Sequence, residues 1–437
     1  MSTESADPLR PVGLLRRHRD FRLLWLGETT GKFGSSVTGL AMPLIAITTL
    51  HASTFQVSLL SAAGWLPWLL IGLPVGVWVD RMRCRSIMLT TSAVSLVLLL
   101  GVPIAARAGI LTMSQLLGVA LAIGAAGVFF QTAYTAYLPG LLEPADRAEG
   151  NAKLHGSASA AQIVGLGSGG AIAQLLGPVN GLLVDAATFL ISLCATARIR
   201  YREPVRKAAP RRALFREVGD GLRLMTGNAW FRTLTLFGAC SNLALTGYQS
   251  ILAVFLVREV GLDSGVVGAL IAAASTGGIV GAALARRVGA RIGTARTMLL
   301  FEGGLTLPAL LIPLTGRGAG LALYVLGGFA VSLGVVGGNV LKSTFQQHHC
   351  PPELLSRLSA SSSVLNYGTI PVGALAGGLL ATELGLRPAM WILTAGVPLA
   401  ALILWFSPVR HCRDLPTEPM TAREASTAAE DAAAALG

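Results

Sequence analysis

The sequence predicts an all-α integral membrane protein, with twelve transmembrane helices in two pseudo-symmetric six-helix bundles. Its composition is the first observation: 53% of the 437 residues are hydrophobic and 13% are charged, and the mean hydropathy is +0.63. Soluble domains carry about 25% charged residues. The other two observations are twelve long apolar runs and an uneven distribution of Lys and Arg between the segments that join them. The composition therefore excludes an ordinary soluble protein.

Each of the twelve runs has the length that a bilayer requires. A helix rises about 1.5 Å per residue, so about 20 apolar residues cross the hydrocarbon core. The first six runs occupy residues 22–50, 55–79, 87–106, 113–138, 154–177 and 180–198. The last six occupy residues 231–257, 265–285, 295–314, 319–342, 357–381 and 385–407. We number these runs as spans 1 to 12.

The hydropathy pattern divides the chain into five parts. These are a cytoplasmic N-terminus (1–21), an N-terminal six-helix bundle (22–198), a cytoplasmic linker (199–230), a C-terminal six-helix bundle (231–407) and a cytoplasmic tail (408–437). The tail is rich in Ala, Thr, Glu and Pro, and we expect it to be disordered or loosely helical. The first run lacks the cleavage site of a signal peptide, so we expect it to be retained as a span.

Positively charged residues predict the orientation. With the N-terminus inside, and with each Arg at a span end counted with the adjoining segment, the inner segments hold 28 Lys and Arg residues and the outer loops hold four. Because cytoplasmic loops collect Lys and Arg, we expect a multi-pass protein of the cell membrane with both termini in the cytoplasm. The net charge of +12 is spread between apolar runs and does not form one basic face. We therefore expect a lipid bilayer and no nucleic acid as partner.

Motifs for cofactors, metals and catalysis are weak. The string at residues 165–170 has the spacing of a dinucleotide fingerprint, but that motif requires a preceding strand and a soluble βαβ unit. The string His-His-Cys at residues 348–350 has no matching ligands elsewhere, and the five cysteines are scattered. No nucleophile, base and orienting group occur at suggestive spacing. We expect no cofactor, no metal and no enzymatic activity.

An apolar run ends abruptly between spans 2 and 3. The string Gly-Val-Trp-Val-Asp-Arg-Met-Arg-Cys-Arg at residues 76–85 resembles the Gly-x-x-x-Asp-Arg-x-Gly-Arg-Arg signature between helices 2 and 3 of the major facilitator superfamily. Its eighth and ninth residues are Arg and Cys where the signature has Gly and Arg. The resemblance implies a conformational switch that contains Gly76, Asp80, Arg81 and Arg85.

The two halves of the chain look like copies of each other. Proline-led strings follow span 4 and span 10, and glycine-rich strings at residues 165–170 and 373–378 occupy corresponding places in spans 5 and 11. Such repeats are typical of six-plus-six transporters, and the resemblance to the superfamily covers residues 15–410. We expect span 5 to pack across the interface between the halves. The glycines that we assign to helix packing are Gly165, Gly169, Gly170, Gly373 and Gly377.

Three strings are similar to the branch of the superfamily that includes macrolide and enterobactin exporters. They are Leu-Trp-Leu-Gly at 24–27, Tyr-x-x-Tyr-Leu-Pro at 134–139 and Leu-Val-Asp-Ala at 183–186. The resemblance implies a monomeric multidrug-type antiporter, which exports a drug, an antibiotic or a siderophore-like metabolite by alternating access and is driven by a proton gradient. A buried Arg on span 4, common in proton-coupled exporters of this superfamily, is absent, since residues 116–137 contain no basic side chain.

Ionisable residues inside the spans are expensive to place there and are therefore functional candidates. Glu28 and Lys32 are four residues apart on span 1 and can pair on one helix face, and Asp185 lies near the outer end of span 6. Glu302 and Lys342 lie near inner span ends, where we expect snorkelling or interfacial pairing. The polar residues that we expect along a central cavity are Gln131, Tyr134, Asn242, Gln249, Asn366 and Tyr367.

Several alternatives stay open at the level of sequence. Two explanations account equally for the presence of Glu28 and Lys32 in a span: the two charges neutralise each other, or they take part in coupling. The same fold also serves uptake or facilitated diffusion. A non-transporting membrane receptor or scaffold is an alternative of another class, favoured slightly by the departures from the signature and by the absent Arg on span 4.

The charge asymmetry predicts that residues 198–230 lie in the cytoplasm. In a variant whose native cysteines are replaced and which carries Asp220→Cys, we expect a membrane-impermeant thiol reagent to label inverted vesicles and not intact cells. Labelling of intact cells at this position would contradict the orientation.

Overall fold

The computed structural model of the chain describes residues 13–79, 81–201, 203, 228–350 and 352–416. Most of the predicted linker and the end of the predicted tail lie outside the described residues. Asp80, which the resemblance places in the conformational switch, also lies outside them.

Six long helices form the first half of the chain. They follow a short helical turn at Leu14–Arg17 and are α1 (Arg19–Thr48), α2 (Thr54–Val79), α3 (Cys84–Arg107), α4 (Met113–Leu141), α5 (Arg147–Leu176) and α6 (Pro178–Ala197). A capping box begins α4, because the Gln115 amide donates to Thr112 Oγ1 and the Thr112 amide donates to Gln115 Oε1. This reciprocal pair satisfies two amide donors that a helix start otherwise leaves without acceptors.

Six further helical segments form the second half. They are α7 (Ala229–Val254, continued by a π-helical turn at Phe255–Glu259), α8 (Ser264–Ile292), α9 (Thr294–Leu299, continued by a π-helical turn at Leu300–Gly304 and a 3-10 helix at Leu307–Leu314), α10 (Leu321–His349), α11 (Pro352–Leu384) and α12 (Leu386–Ala400, followed by a short helix at Leu402–Trp405). Segment α9 changes its helix type along its length. Pro308 and Pro313 lie in its outer part, where they lack the N–H groups that a regular α-helix requires.

Two single-residue turns mark corresponding points of the two halves. Gly177 joins α5 to α6 with a φ of 80°, and Gly385 joins α11 to α12 with a φ of 92°. Residues with a Cβ atom rarely adopt this conformation, so glycine is the residue that permits such a tight reversal. The fifth helix of each half is therefore followed directly by the sixth.

The prediction of an all-α membrane protein is confirmed. The described residues contain no β-strand, and ten of their helices are long and apolar enough to cross a bilayer. Polar and charged side chains interrupt α1, which is 30 residues long. Together with α11, of 33 residues, the long segments of the described part of the chain are consistent with twelve spans.

The two halves meet along two pairs of helices, α2 with α11 and α5 with α8. A Cβ atom at Gly170 on α5 would lie 2.5 Å from the Cα atom of Gly268 on α8. A Cβ atom at Gly378 on α11 would lie 2.5 Å from the Cβ atom of Ser58 on α2. At both places the absence of a side chain lets two helix backbones approach closely.

The other glycines of these strings pack within one half. A Cβ atom at Gly165 would lie 2.7 Å from the carbonyl oxygen of Phe33 on α1, and Gly169 faces Val37 of the same helix. In the second half, Gly373 and Gly377 face α7. The expected packing of span 5 across the interface therefore applies to Gly170, whereas Gly165 and Gly169 face the neighbouring α1.

The contacts between the halves cluster at the end of the bundle opposite the termini. Beyond the Gly170 contact, the Arg258 guanidinium group donates a 2.6 Å hydrogen bond to the carbonyl oxygen of Ala52. Gln174 on α5 lies against Gly265 at the start of α8. These contacts close the bundle at the end away from the termini.

The first residues of the predicted tail, 408–416, pack on the second half and include a 3-10 helical turn at Pro408–His411, in keeping with the helical one of the two expectations for the tail. Asp414 accepts a 2.8 Å hydrogen bond from the Thr294 amide, and the Leu415 amide donates one of 2.8 Å to Thr294 Oγ1. Val409 and Leu415 are buried in an apolar cluster of the second half. The tail begins by packing on the turn between α8 and α9, because its two apolar side chains find a hydrophobic site there.

We expect Gly170→Leu to separate the two halves at the end away from the termini, because a side chain there collides with the backbone of α8. The separation is measured by electron spin resonance between labels at the exposed positions Leu175 and Leu384. Gly101→Leu on α3 is the matched control, since no atom lies within 4 Å of a Cβ at that glycine. Identical distance distributions for Gly170→Leu and the parent would show that the Gly170 contact does not hold the halves together.

Candidate functional site

The first half encloses a cavity of about 480 Å³ between α1, α2, α3, α4 and α6. Its wall is largely apolar and includes the aromatic residues Trp65, Trp68, Phe130 and Phe189. The ionisable or amide side chains on it are Glu28, Lys32, Gln131 and Asp185. Apolar walls with a few convergent polar groups are typical of sites for small molecules.

Asp185 is the most deeply buried carboxylate on this wall, with 2% of its surface exposed. Its Oδ2 accepts a 2.6 Å hydrogen bond from Thr38 Oγ1, and its Oδ1 accepts one of 2.9 Å from Thr188 Oγ1. It lies against Gly34 of α1, where no side chain obstructs it. Among the described residues Asp185 forms no ion pair, so its charge is stabilised by hydroxyl groups alone.

Glu28 and Lys32 form an ion pair on α1, with 3.3 Å between Nζ and Oε1. The side chain of Glu28 is 9% exposed and that of Lys32 is 44% exposed. Pairing four residues apart is the geometry that the helix repeat allows. The carboxylate is thus buried beside its counter-ion, while the ammonium group reaches a more open space.

That open space is a second cavity of about 430 Å³, nearer the end that carries the termini. Glu28, Lys32 and Gln131 line both cavities. Tyr134, Pro139 and His155 lie on the wall of the second cavity. The ion pair of α1 therefore lies where the two cavities adjoin.

Both cavities are lined by residues of the first half, and none of the four candidates from the second half lines either of them. Asn242 Nδ2 donates a 3.0 Å hydrogen bond to Asn366 Oδ1. The Tyr367 ring packs on α2, with its centroid 4.7 Å from that of Trp68. Gln249 is exposed. The sequence analysis placed six polar residues along one cavity. In the structure Gln131 and Tyr134 line the cavities of the first half, whereas the other four residues lie outside them.

Sequence reasoning did not single out the tryptophans on α2. Trp65 and Trp68 are three residues apart, which places both on one helix face. Trp65 stacks on Tyr367 with ring centroids 5.9 Å apart. The spacing of the two rings was the available signal, and their contact with α11 is a tertiary feature.

The residues of the predicted switch have different surroundings. No atom lies within 4 Å of a Cβ placed at Gly76, and Arg81 is exposed. Arg85 donates hydrogen bonds to the carbonyl oxygens of Thr196 and Ala197, at 3.3 Å and 2.8 Å. A cation at the carbonyl end of a helix is favourable, so Arg85 caps the C-terminus of α6.

One further expectation is changed by the structure. Glu302 is 4% exposed, so its carboxylate is buried within the second half and does not snorkel. His349 stacks on Phe345 with ring centroids 5.0 Å apart. Burial raises the pKa of the neighbouring Cys350 thiol to about 11.

Comparison with known proteins places the chain in a family. The sequence profile of the Major Facilitator Superfamily matches residues 24–368 and 234–432. The multidrug efflux pump Tap of Mycolicibacterium fortuitum is 26% identical over 414 residues, which cover 91% of this chain and 98% of that protein.

Solved transporter structures share the fold. The nucleoside transporter NupG is 14% identical with a TM-score of 0.70, over 89% of this chain and 98% of that one. A bacterial homologue of the iron transporter ferroportin in an inward-facing state is 17% identical with a TM-score of 0.68, over 90% and 99% of the two chains. The sequence profile, the similarity to Tap and the shared fold agree, and the chain belongs to the major facilitator superfamily.

Proposed function

We propose that this chain is an antiporter that exports a small amphiphilic molecule across the cell membrane in exchange for protons. The observation that carries the proposal is the cavity of the first half, in which aromatic walls surround a carboxylate that has no cation partner among the described residues. The similarity to a multidrug efflux pump over 91% of the chain supports export of this class of molecule.

Alternating access is supported by the contacts between the halves. They close the end away from the termini, and the second cavity lies toward the opposite end. With the termini in the cytoplasm, as the charge asymmetry favours, the described conformation is the one that loads substrate from inside. Rocking of the halves about the cavity then exposes it to the outside.

Asp185 is the residue that we assign to the coupling proton. A buried carboxylate without a counter-ion is destabilised by the loss of hydration, and a bound proton removes that penalty. The hydroxyl groups of Thr38 and Thr188 stabilise the charged form, so both forms of the carboxyl group are accommodated. Proton uptake from outside and release inside then reset the carrier after each export step.

The protein acts in this proposal as a monomer, since the cavity is complete within one half of one chain. Its partners are the substrate, the proton gradient and the lipid bilayer. The relative Tap is named as an efflux pump. The direction of transport by this chain is tested with inverted membrane vesicles.

The test uses inverted membrane vesicles and rhodamine 6G, a fluorescent amphiphilic cation. We expect accumulation of the dye when the vesicle interior is acidic, and no accumulation after the gradient is collapsed with an ionophore. Vesicles without the protein are the control. Equal accumulation with and without the gradient would exclude proton-coupled export and would favour facilitated diffusion.

Asp185→Asn tests the proton site. We expect gradient-driven accumulation to fall at least about tenfold, because an amide cannot bind and release the proton whose energy is used, while dye exchange without a gradient persists. Glu383→Gln is the matched control, because it makes the same change at an exposed carboxylate on α11. Unchanged accumulation by Asp185→Asn at equal protein level would remove Asp185 from the coupling.

The Glu28 and Lys32 pair is tested by a double-mutant cycle on thermal stability in detergent. Lys32→Met leaves the buried Glu28 carboxylate unpaired, and we expect a loss of about 1–3 kcal/mol. Glu28→Gln leaves an ammonium group that is 44% exposed, so a smaller loss follows. The double variant removes both charges and should regain the parental stability.

The same double variant also reports on transport. We assign Glu28 a second role in proton coupling beside Asp185, since Glu28 lies on the walls of both cavities. We therefore expect the double variant to exchange dye without concentrating it. Parental accumulation by the double variant would assign the pair to helix stability alone.

A further inference from the structure

The second half carries a polar cluster that the cavities do not include. It consists of Lys342 on α10, Asn242 on α7 and Asn366 on α11. A Cβ atom at Gly238 on α7 would lie 2.7 Å from Lys342 Nζ and 3.3 Å from Asn366 Oδ1. The ammonium group and the paired amides therefore converge on one point, where the absent side chain of Gly238 leaves room.

The counter-charge of Lys342 is held at a distance. Glu302 attracts Lys342 electrostatically, but no ion pair within 4.0 Å joins them among the described residues. The Glu302 carboxylate lies instead against Gly338, one helical turn before Lys342 on α10. The π-helical turn at Leu300–Gly304 carries Glu302, and such turns are frequent at functional sites.

The cluster contains more donors than acceptors. Lys342 has three N–H donors, and it makes no hydrogen bond to a described residue. Asn242 Nδ2 donates to Asn366 Oδ1, and the amide N–H groups of Asn366 donate to no described residue. The half-buried N–H donors of Lys342 and Asn366 outnumber the acceptors around them. Such a group of donors beside a positive charge is complementary to an anionic group.

The cluster occupies the place that corresponds to the ion pair of the first half. Glu28 is the tenth residue of α1 and Gly238 is the tenth of α7. Tyr134 and Lys342 are both residue 22 of helices that are each 29 residues long. The corresponding pairs of helices thus carry a buried acid in the first half and a base in the second half, the acid on the first helix of its half and the base on the fourth.

An aromatic contact joins the cluster to the cavity of the first half. Tyr367 follows Asn366 in α11, and its ring centroid lies 4.7 Å from that of Trp68. Trp68 lines the larger cavity. Tyr367 therefore lies next in sequence to a member of the cluster and in ring contact with the wall of the first-half cavity.

We propose that Lys342, with the amide of Asn366, binds an acidic group of the substrate, such as a carboxylate. The aromatic body of the same molecule packs on Trp68 and Tyr367, and Glu302 compensates the ammonium charge when the site is empty. The inference rests on the proposed export function for its substrate and names the chemical class of that substrate as amphiphiles with an acidic group.

The experiment compares two probes that differ in one group, rhodamine B with a free carboxylate and rhodamine B ethyl ester. Their affinities for the purified protein are measured by fluorescence anisotropy. We expect the parent to bind the acid about tenfold or more tightly than the ester, as a charge-assisted hydrogen bond provides.

The variants separate binding from folding. Lys342→Met alone leaves the Glu302 carboxylate without a counter-charge, so the test variant combines Lys342→Met with Glu302→Gln. We expect this double variant to lose the preference for the acid and to bind the ester as tightly as the parent does. Lys342→Arg should keep the preference. Lys153→Met, which removes an ammonium group near the start of α5 outside the cluster, is the matched control.

Two results overturn the inference: equal affinity of the parent for acid and ester, or an undiminished preference for the acid in the double variant. The binding assay requires no transport. If the parent prefers the acid but shows no gradient-driven accumulation, the result counts against export and supports this site. If the parent shows no preference for the acid, the site is overturned and the proposal of export is unaffected.

Discussion

The cost of placing charge in hydrocarbon is the constraint on which the polar features of this protein depend. An unpaired charge inside a bilayer loses its hydration, so each ionisable side chain in the spans requires specific partners. Asp185 and Glu302 each lie against a glycine of a neighbouring helix, Gly34 and Gly338. At each of these two places the small residue provides the space that the carboxylate occupies.

Helix α5 connects the closure of the bundle to the candidate site. Gly165 packs on α1 at Phe33, directly after Lys32, and Gly170 touches Gly268 on α8 of the other half. Both contacts are backbone contacts without flexible side chains between them. Helix α5 therefore connects the contact between the halves at Gly170 to the segment of α1 that carries the ion pair.

The two halves share a backbone plan and differ in chemistry. Corresponding glycine turns follow the fifth helix of each half, and the fourth helices of the two halves are equally long. At matching positions, however, Gly238 stands where the first half has the acid Glu28, and Lys342 stands where the first half has Tyr134. An internal repeat provides the scaffold for alternating access, whereas side chains that differ between the repeats make the halves chemically distinct.

The sequence by itself determined the helical membrane fold, the six-plus-six organisation and the pairing of Glu28 with Lys32, because hydropathy, repeat spacing and the helix period are local properties of the chain. It also named Asp185 as ionisable within a span. Only the tertiary structure decided that Thr38 and Thr188 surround this carboxylate, that Asn242 pairs with Asn366 away from the first-half cavity, and that Glu302 is buried. These relations join residues up to 147 positions apart, and the packing of different helices, not any local pattern, brings such residues together.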